Sequence, residues 1–184
     1  MKKLIFLSIL GSLVWGGCAN FDARTQFIAT FVNRFVLDST NTSISTDLEA
    51  FSDTLITDFE GLIEDHSSSY NKLESSTMES LALEIDGLKS ASTANFDFLK
   101  NFEIYIKGKD MDEFLLGGAD SVPLGARYFE FRPEDAAKDY TDLLKGNEFT
   151  CRMTYQTNSR ILTDSAVVVK VVPKYRMDTK KFGI

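Results

Sequence analysis

The chain has 184 residues, of which 43% are hydrophobic, and a formal net charge of −7. This length and apolar content suit one domain with a sizeable core. An acidic chain repels the phosphates of nucleic acids and the surfaces of anionic membranes, so nucleic-acid binding is excluded as a function.

The first residues have the composition of an export signal. A short basic start at residues 1–3 precedes an apolar run over residues 4–15. Twelve residues of helix extend about 18 Å, which is too short for a hydrocarbon core of about 30 Å. A basic start followed by a short apolar run is the layout of a secretory signal. Two glycines and Cys18 come directly after it.

Residues 1–18 resemble the precursor of a bacterial lipoprotein, in which small residues precede a cysteine that is lipidated and becomes the mature N-terminus. The resemblance implies acyl chains such as palmitate on Cys18, a lipid anchor in the membrane and a cell-envelope location. Ala19 beside the cysteine, where an aspartate would imply retention, implies the outer membrane. Two alternatives stay open. Cleavage between small residues would give a secreted or periplasmic protein, and an uncleaved segment would remain as an anchor.

The sequence divides into four predicted segments. They are a signal peptide at 1–17, a lipidated cysteine and tether at 18–26, a single domain at 27–177 and a C-terminal tail at 178–184. Loss of two lysines with the signal leaves 18 basic residues against 27 acidic ones, a formal charge of −9. If Cys18 carries lipid, Cys151 has no intramolecular partner, so the domain folds without a disulfide.

The first element of the domain is predicted to be a long strand, "FIATFVNRFVLD". Apolar side chains alternate along it, which puts one set on a single face of a strand: Phe27, Ala29, Phe31, Phe35 and Leu37. Asn33 interrupts this face, and we expect a bulge there.

The next segment has helical spacing. Its apolar residues recur three or four apart, which aligns them on one side of a helix over about residues 47–66: Leu48, Phe51, Leu55, Phe59, Leu62 and Ile63. Thr46 and Glu49 have the spacing of a capping box at its start. The segment is therefore predicted to form one long amphipathic helix.

After residue 70 the alternation of a strand returns. Further strands are predicted around Leu81 to Ile85, in "FDFLKNFEIYIKG", "EFLLGG", "RYFEF", "EFTCRMTYQT" and "SAVVVKVV". Pro173 cannot donate a ladder hydrogen bond, so the last strand is expected to end there or to lie at a sheet edge. Between two strands, residues 133–145 read as a short helix, with Pro133 in its first turn and Gly146 after its end.

These elements predict a mainly β fold. About eight short strands separated by turns are typical of an antiparallel β-sandwich, here with one long helix at 47–66 and a short helix at 133–145. The alternative is an α+β layer in which the long helix packs on one sheet.

The sequence contains few candidates for chemistry. His66 is the one histidine and lacks the partners of a triad or a histidine-rich metal site, so we expect a structural role near a helix end. Asp110, Asp112 and Glu113 are candidate calcium ligands in an acidic turn, but the spacing of an EF-hand is absent and a solvated turn accounts for them better. A second acidic cluster lies within 134–142. We predict no catalytic residue, no metal site and no cofactor.

Two strand faces bear on binding. Cys151 falls between Phe149 and Met153 on an inward face and lacks a nearby base, so it is predicted to be a small buried hydrophobe. Tyr105 and Lys107 point away from the core, and their face is a candidate for ligand contact.

The sequence therefore predicts a lipid-anchored protein of the cell envelope that acts as a binding or assembly accessory, with a protein or polysaccharide as partner. Two alternatives remain. One is a carboxylate-dependent hydrolase of envelope or extracellular polymers, and the other is a structural subunit or adhesin.

Overall fold

The computed structural model describes residues 24–37, 47–52, 54–56, 59–65, 73–87, 94–158 and 167–180. The predicted signal segment, Cys18, most of the predicted tether and His66 lie outside these residues. Among the residues that are described, no helix has the length and apolar character needed to cross a membrane.

The fold is mainly β, as the sequence predicts. Within the described ranges the chain forms ten strands and two short helices: β1 (Arg24–Thr30), β2 (Asn33–Leu37), β3 (Leu48–Phe51), β4 (Leu55–Ile56), α1 (Phe59–Asp65), β5 (Leu73–Ile85), β6 (Leu99–Gly108), β7 (Phe114–Ala119), β8 (Tyr128–Phe131), α2 (Thr141–Lys145), β9 (Glu148–Thr157) and β10 (Val167–Lys180). Strands β1 and β10 both extend beyond the range 27–177 predicted for the domain.

The strands form two antiparallel sheets that pack face to face. Sheet I has the order β1–β10–β5–β8, with β2 also paired to β10, and sheet II has the order β3–β9–β6–β7, with β4 also paired to β9. Aromatic rings meet between the sheets, with centroids 5.8 Å apart for Phe31 and Phe149 and 4.9 Å apart for Phe102 and Phe131. The predicted sandwich-like architecture is confirmed.

The alternating patterns place the core between the sheets. The alternating apolar residues of the later strands are buried: Leu81, Leu83, Ile85, Phe102, Ile104, Ile106, Phe149, Cys151, Met153, Tyr155, Val167, Val169 and Val171. Full burial of a large apolar side chain contributes about 1.5–3 kcal/mol, so these rows hold the sheets together without a disulfide.

Strands β1 and β2 are two halves of one edge strand. Thr30 pairs with Lys174 and Asn33 with Val171, so the register is the same on both sides of the break and the predicted bulge at Asn33 is wrong. The break lies opposite Pro173. The N–H of Phe31 donates to the carbonyl of Pro173 at 3.1 Å, but proline has no N–H to return a bond.

Pro173 itself lies in the interior of β10, where it pairs with Leu81 of β5. The prediction that the strand ends at Pro173 or lies at an edge is therefore wrong. The proline is tolerated because the side of its backbone that lacks an N–H faces the break between β1 and β2. Only one hydrogen bond of the ladder is lost there.

The long helix predicted over residues 47–66 is also wrong. Its first half is the edge strand β3 and β4 of sheet II, and among the described residues of this range only Phe59–Asp65 is helical. Leu48 pairs with Tyr155 and Leu55 with Phe149, so one residue more lies between them than on β9. This inserted residue breaks the alternation of the strand and produces a spacing that imitates a helix.

Ser52 closes the ladder at this insertion. Its N–H donates to the carbonyl of Cys151 at 2.9 Å, and its Oγ accepts the N–H of Cys151 at 2.9 Å. A side-chain oxygen thus replaces the missing backbone acceptor, which keeps a buried backbone donor satisfied.

The predicted helix at 133–145 is shorter than expected and covers only Thr141–Lys145. Pro133 forms an isolated bridge with Gly117 of β7, and the N–H of Glu134 donates to the carbonyl of Leu116 at 2.9 Å. These bonds tie the chain after β8 in sheet I to the edge strand of sheet II, which keeps Pro133 out of a helix.

Candidate functional site

The candidate site is a groove of about 450 Å³ on the outer face of sheet II, which we call the outer groove. Its volume lies within the range of about 300–1,000 Å³ that is typical of small-molecule sites. It is lined mainly by outward side chains of β3, β9 and β6 and by Asp47 and Asp120, the residues next to β3 and β7.

Strand register arranges the groove in rows across the sheet. Glu49 of β3 lies opposite Thr154 of β9, which lies opposite Glu103 of β6 and then Gly118 of β7. Neighbouring strands are about 4.8 Å apart, so the two glutamates flank Thr154 at one strand spacing each. We call this line the glutamate row.

A second polar row runs beside it. The Nε2 of Gln156 donates to Oδ1 of Asp47 at 2.8 Å, and the Nδ2 of Asn101 donates to Oε1 of Gln156 at 3.3 Å. Asp120, directly after β7, also lines the groove. Because these amides bond to one another and to a carboxylate, the row is a connected polar network.

Gly118 keeps the glutamate row open at one end. A Cβ on this residue would lie 2.5 Å from the carbonyl oxygen of Phe102 and 3.1 Å from the Cα of Glu103. Both are backbone atoms, so a side chain here could be accommodated only if the strands moved apart. Strand β7 can therefore approach β6 this closely only with glycine at this position.

The third row contains planar groups. Phe51, Arg152 and Tyr105 lie opposite one another on β3, β9 and β6. The guanidinium carbon of Arg152 lies 4.3 Å from the ring centroid of Tyr105, and Phe51 is 65% exposed. We call this line the planar row. Tyr105 lines the groove, and Arg152 and Phe51 continue the row beside it.

Tyr105 also links the planar row to the glutamate row. Its hydroxyl donates to Oε2 of Glu103 at 2.6 Å. This hydrogen bond is the main reason why the pKa of Tyr105 is raised above 10.0, and burial and the charge of Glu103 add to it. The hydroxyl therefore stays protonated as a donor at neutral pH.

Arg152 holds the carboxylates of Glu49 on β3 and of Glu113, the residue before β7. Its Nη1 lies 3.0 Å from Oε1 of Glu49, and its Nε donates to Oε1 of Glu113 at 3.1 Å. The hydrogen bonds from Arg152 lower the pKa of Glu113 below 4.5 against the opposing effect of burial. The same bond raises the pKa of Arg152.

The charge of the groove is negative. Four carboxylate residues line it: Asp47, Glu49, Glu103 and Asp120. The described lining residues include no arginine, lysine or histidine. The site therefore repels anionic ligands and offers hydrogen-bond acceptors to a ligand that carries donors.

The structure does not bring the three candidate calcium ligands together as a site. Glu113 binds Arg152, Asp112 is exposed, and Asp110 occupies a turn with φ of 58°. In the part of the chain that is described, no group of three or more acidic, histidine or cysteine side chains is placed to hold a metal ion.

The second acidic cluster stabilises the local backbone. Asp135 Oδ1 accepts the N–H of Ala137 at 3.0 Å, and Asp139 Oδ1 accepts the N–H of Thr141 at 2.9 Å. The pKa values of two described carboxyl groups, Glu113 and Asp139, are both shifted downward. A general acid requires the opposite shift.

Cys151 is 1% exposed on the inner face of β9, as predicted. Burial raises the pKa of its thiol well above 9.0, so the thiolate needed for nucleophilic attack is disfavoured. Burial is also the main cause of the raised pKa of Tyr175.

Sequence reasoning identified part of the groove. The outward direction of Tyr105 followed from alternation along β6, and the same rule applied to β9 points Thr154 and Gln156 outward. Asp47 and Glu49 were missed because their segment was predicted to be helical. No protein-family model matches the chain, and no curated protein matches it at a significant level.

Proposed function

We propose that this protein is a lipid-anchored binding module of the bacterial cell envelope and that the outer groove is its ligand site. The observation that carries the binding role is the groove of about 450 Å³, bordered by polar rows and a planar row. Its polar groups come from three strands of one sheet and from Asp47 and Asp120, which flank β3 and β7, so the site is held rigidly before a ligand arrives.

The chemistry of the groove favours binding over hydrolysis. Glu49 bonds to Arg152 and Glu103 bonds to the hydroxyl of Tyr105. These hydrogen bonds hold both carboxylates in place as acceptors, which suits recognition of a ligand that carries donors.

The anchoring part of the proposal depends on Cys18 and its resemblance to a lipidated cysteine. Six residue steps separate Cys18 from Arg24, the first residue of β1. At about 3.5 Å per step they span at most about 20 Å, so the domain would stay close to the bilayer. More than one acyl chain makes such anchoring stable.

Replacement of the cysteines in the native host tests the anchor. With Cys18→Ala we expect loss of labelling by a fatty-acid analogue, accumulation of the precursor and loss of mature protein from the membrane fraction. The matched control is Cys151→Ala, which leaves the signal region intact and should be labelled normally. If the Cys18 variant is cut and released like the wild type, the anchoring proposal is wrong.

Ligand titration followed by NMR tests the groove. The sample is the mature chain, residues 18–184, with Cys18→Ser, and the probes are neutral tetrasaccharides, peptidoglycan fragments and tetralysine. We expect at least one probe to shift amide signals around Thr154, and we expect Thr154→Arg to abolish those shifts by filling the groove. Thr150→Arg is the control, because Thr150 faces outward on the same strand but does not line the groove. If none of these probes shifts groove signals, the binding proposal fails.

A further inference from the structure

We infer that the ligand of the outer groove is an uncharged oligosaccharide strand that lies across β3, β9, β6 and β7. This inference rests on the proposed binding function and specifies its ligand class. Three features of the described residues carry it: the dimensions of the groove, its surplus of hydrogen-bond acceptors and the planar row beside it.

The groove has the shape of a chain-binding site. It crosses three inter-strand spacings, which amount to about 14 Å, and its volume is about 450 Å³. Polar residues continue from Asp47 at one side of the sheet to Asp120 at the other. A site of this length can contact more than one sugar ring, with each ring over a different pair of strands.

The hydrogen bonds within the groove leave acceptors for a ligand. Gln156 occupies Oδ1 of Asp47, Arg152 occupies Oε1 of Glu49, and Tyr105 occupies Oε2 of Glu103. The second oxygen of each carboxylate has lone pairs for further donors. Sugar hydroxyls donate hydrogen bonds and also accept them from amides, so they match a surface of carboxylates interleaved with Asn101 and Gln156.

The planar row distinguishes a carbohydrate from other donor-rich ligands. A pyranose ring has hydroxyls at its rim and C–H groups on its faces, and these faces pack on flat apolar surfaces. Phe51 presents such a surface with 65% of its area exposed, and Tyr105 is fixed in orientation by Arg152 and Glu103. An ammonium-bearing peptide would use the carboxylates but would not need a flat border beside them.

The negative charge of the groove excludes acidic polysaccharides. Four carboxylate residues line it. A uronate chain would place its own carboxylates against them. The cations beside the groove are fewer than its carboxylates: Arg152 is already bonded to Glu49 and Glu113, and Lys100 reaches Gln156, so net repulsion remains. We therefore expect a preference for uncharged sugars over acidic sugars of the same length.

Calorimetry and NMR with sugar probes test this inference on the mature chain with Cys18→Ser. The uncharged probes are cellotetraose, chitotetraose and maltotetraose, the acidic probe is tetragalacturonic acid, and the cationic probe is tetralysine. We expect at least one uncharged tetrasaccharide to bind at the groove and to bind at least tenfold more tightly than the acidic one.

Two aromatic variants examine the planar row. Phe51→Ala and Tyr105→Ala should each weaken binding of the uncharged probe at least tenfold. The matched control is Tyr128→Ala on sheet I. Tyr128 is 50% exposed and donates to Glu130 at 2.7 Å, so it reproduces the pairing of Tyr105 with Glu103 at a distance from the groove. It should leave binding unchanged, and circular dichroism checks that each variant is folded.

The outcomes separate the two proposals. Binding of tetralysine at the groove without binding of any uncharged sugar would overturn the carbohydrate inference and leave the groove as a ligand site. Sugar binding that survives both Phe51→Ala and Tyr105→Ala would overturn the role of the planar row and with it the inference. If neither sugars, peptidoglycan fragments nor tetralysine shift groove signals, the proposed function fails as well.

Discussion

The guanidinium of Arg152 binds the carboxylate of Glu113 through two nitrogens, with Nε 3.1 Å from Oε1 and Nη2 bonded to Oε2. The same guanidinium reaches Glu49 on β3 and stacks on Tyr105 of β6. One side chain of β9 thus contacts groups on both neighbouring strands and the residue that precedes β7. Arg152 fixes the border of the outer groove as well as stabilising sheet II.

Replacement of Arg152 tests this role. Arg152→Lys retains the charge but cannot form the two-pronged bond or stack as a plane. Because Glu49 and Glu113 are partly solvated, we expect a loss of only about 1 kcal/mol in the free energy of unfolding, measured with urea. Arg176→Lys is the control, since Arg176 makes a single 3.5 Å ion pair with Glu79. If both variants lose the same stability, Arg152 does not stabilise sheet II through its bonds to Glu49 and Glu113.

Gly118→Ala tests the close approach of β7 to β6. The new Cβ would meet the carbonyl of Phe102 at 2.5 Å, so the backbone has to shift. We expect a loss of about 1–3 kcal/mol in stability. At Gly87 an added Cβ would make only an ordinary contact of 3.7 Å with Arg127. Gly87→Ala should therefore have little effect, and equal effects of the two substitutions would be inconsistent with a steric role for Gly118.

Asp139 joins helix α2 to strand β5. Its Oδ1 accepts the N–H and the hydroxyl of Thr141 at 2.9 and 2.6 Å and the N–H of Ser76 at 3.2 Å. Asp139→Ala leaves these donors without their acceptor, so we expect a loss of about 1–2 kcal/mol in thermal or urea unfolding. Asp142→Ala removes a carboxylate from the first turn of the same helix and serves as the control. A larger loss of stability in Asp142→Ala would refute the role of Asp139 as the acceptor that joins α2 to β5.

The stability of the protein should fall in acid. Burial raises the pKa of Asp139, but the hydrogen bonds from Thr141 and Ser76 outweigh it and the net shift is downward from 3.8. Hydrogen bonds from Arg152 lower the pKa of Glu113 from 4.5. Groups with lowered folded pKa values stabilise the protein above their unfolded values, and this contribution is lost as the pH falls below about 4.

Urea unfolding at pH 7 and at pH 3 measures this contribution. The difference between the wild type and Asp139→Asn should shrink at the lower pH, because the wild-type carboxylate approaches protonation there. A difference that is the same at both pH values would show that the charge of Asp139 does not contribute.

The strands with regular alternation were predictable from the sequence, because their apolar residues alternate with polar ones wherever one face is buried. Leu81 to Ile85 and Phe102 to Ile106 follow this rule. Pro173 was misread because its cost depends on the neighbouring strand. Pro173 lies opposite the break between β1 and β2, so the N–H that it lacks is not needed there. No local sequence pattern shows this pairing.

The errors at 47–66 and in the groove have a common cause. An inserted residue between β3 and β4 changes the spacing of Leu48 and Leu55 to that of a helix, and only pairing with β9 reveals the strand. The groove depends on the same pairing, since Glu49 meets Thr154 and Glu103 through sheet register. Residues far apart in sequence meet there, so the chain by itself does not locate the site.

The reactivity of the Cys151 thiol tests whether the inner face of β9 is buried. Because its side chain is enclosed and the pKa of its thiol is raised, native protein with Cys18→Ser should react slowly with a thiol reagent and quickly in urea. The control is Leu124→Cys in a Cys151→Ala background, since Leu124 is 89% exposed. That thiol should react quickly in the native protein. Fast native labelling of Cys151 would contradict the structure of β9.

Asn33 carries an unsatisfied amide in the core. It is 2% exposed on the inner face of β2, and in the described structure neither its Oδ1 nor its Nδ2 has a hydrogen-bond partner. An amide buried without partners costs about 1–3 kcal/mol relative to water. Leucine has a similar branched shape without polar atoms, so Asn33→Leu should raise the free energy of unfolding by about 1–2 kcal/mol.

Urea denaturation measures the free energy of unfolding of two variants, Asn33→Leu, which removes the polar atoms, and Asn33→Asp, which adds a charge. The aspartate variant places a charge at the same buried position and should be strongly destabilised at pH 7, with recovery as the carboxyl is protonated at lower pH. The paired variants separate polarity from shape, because leucine and aspartate both resemble asparagine in branching. A leucine variant less stable than the wild type would show that the amide of Asn33 is hydrogen-bonded in solution.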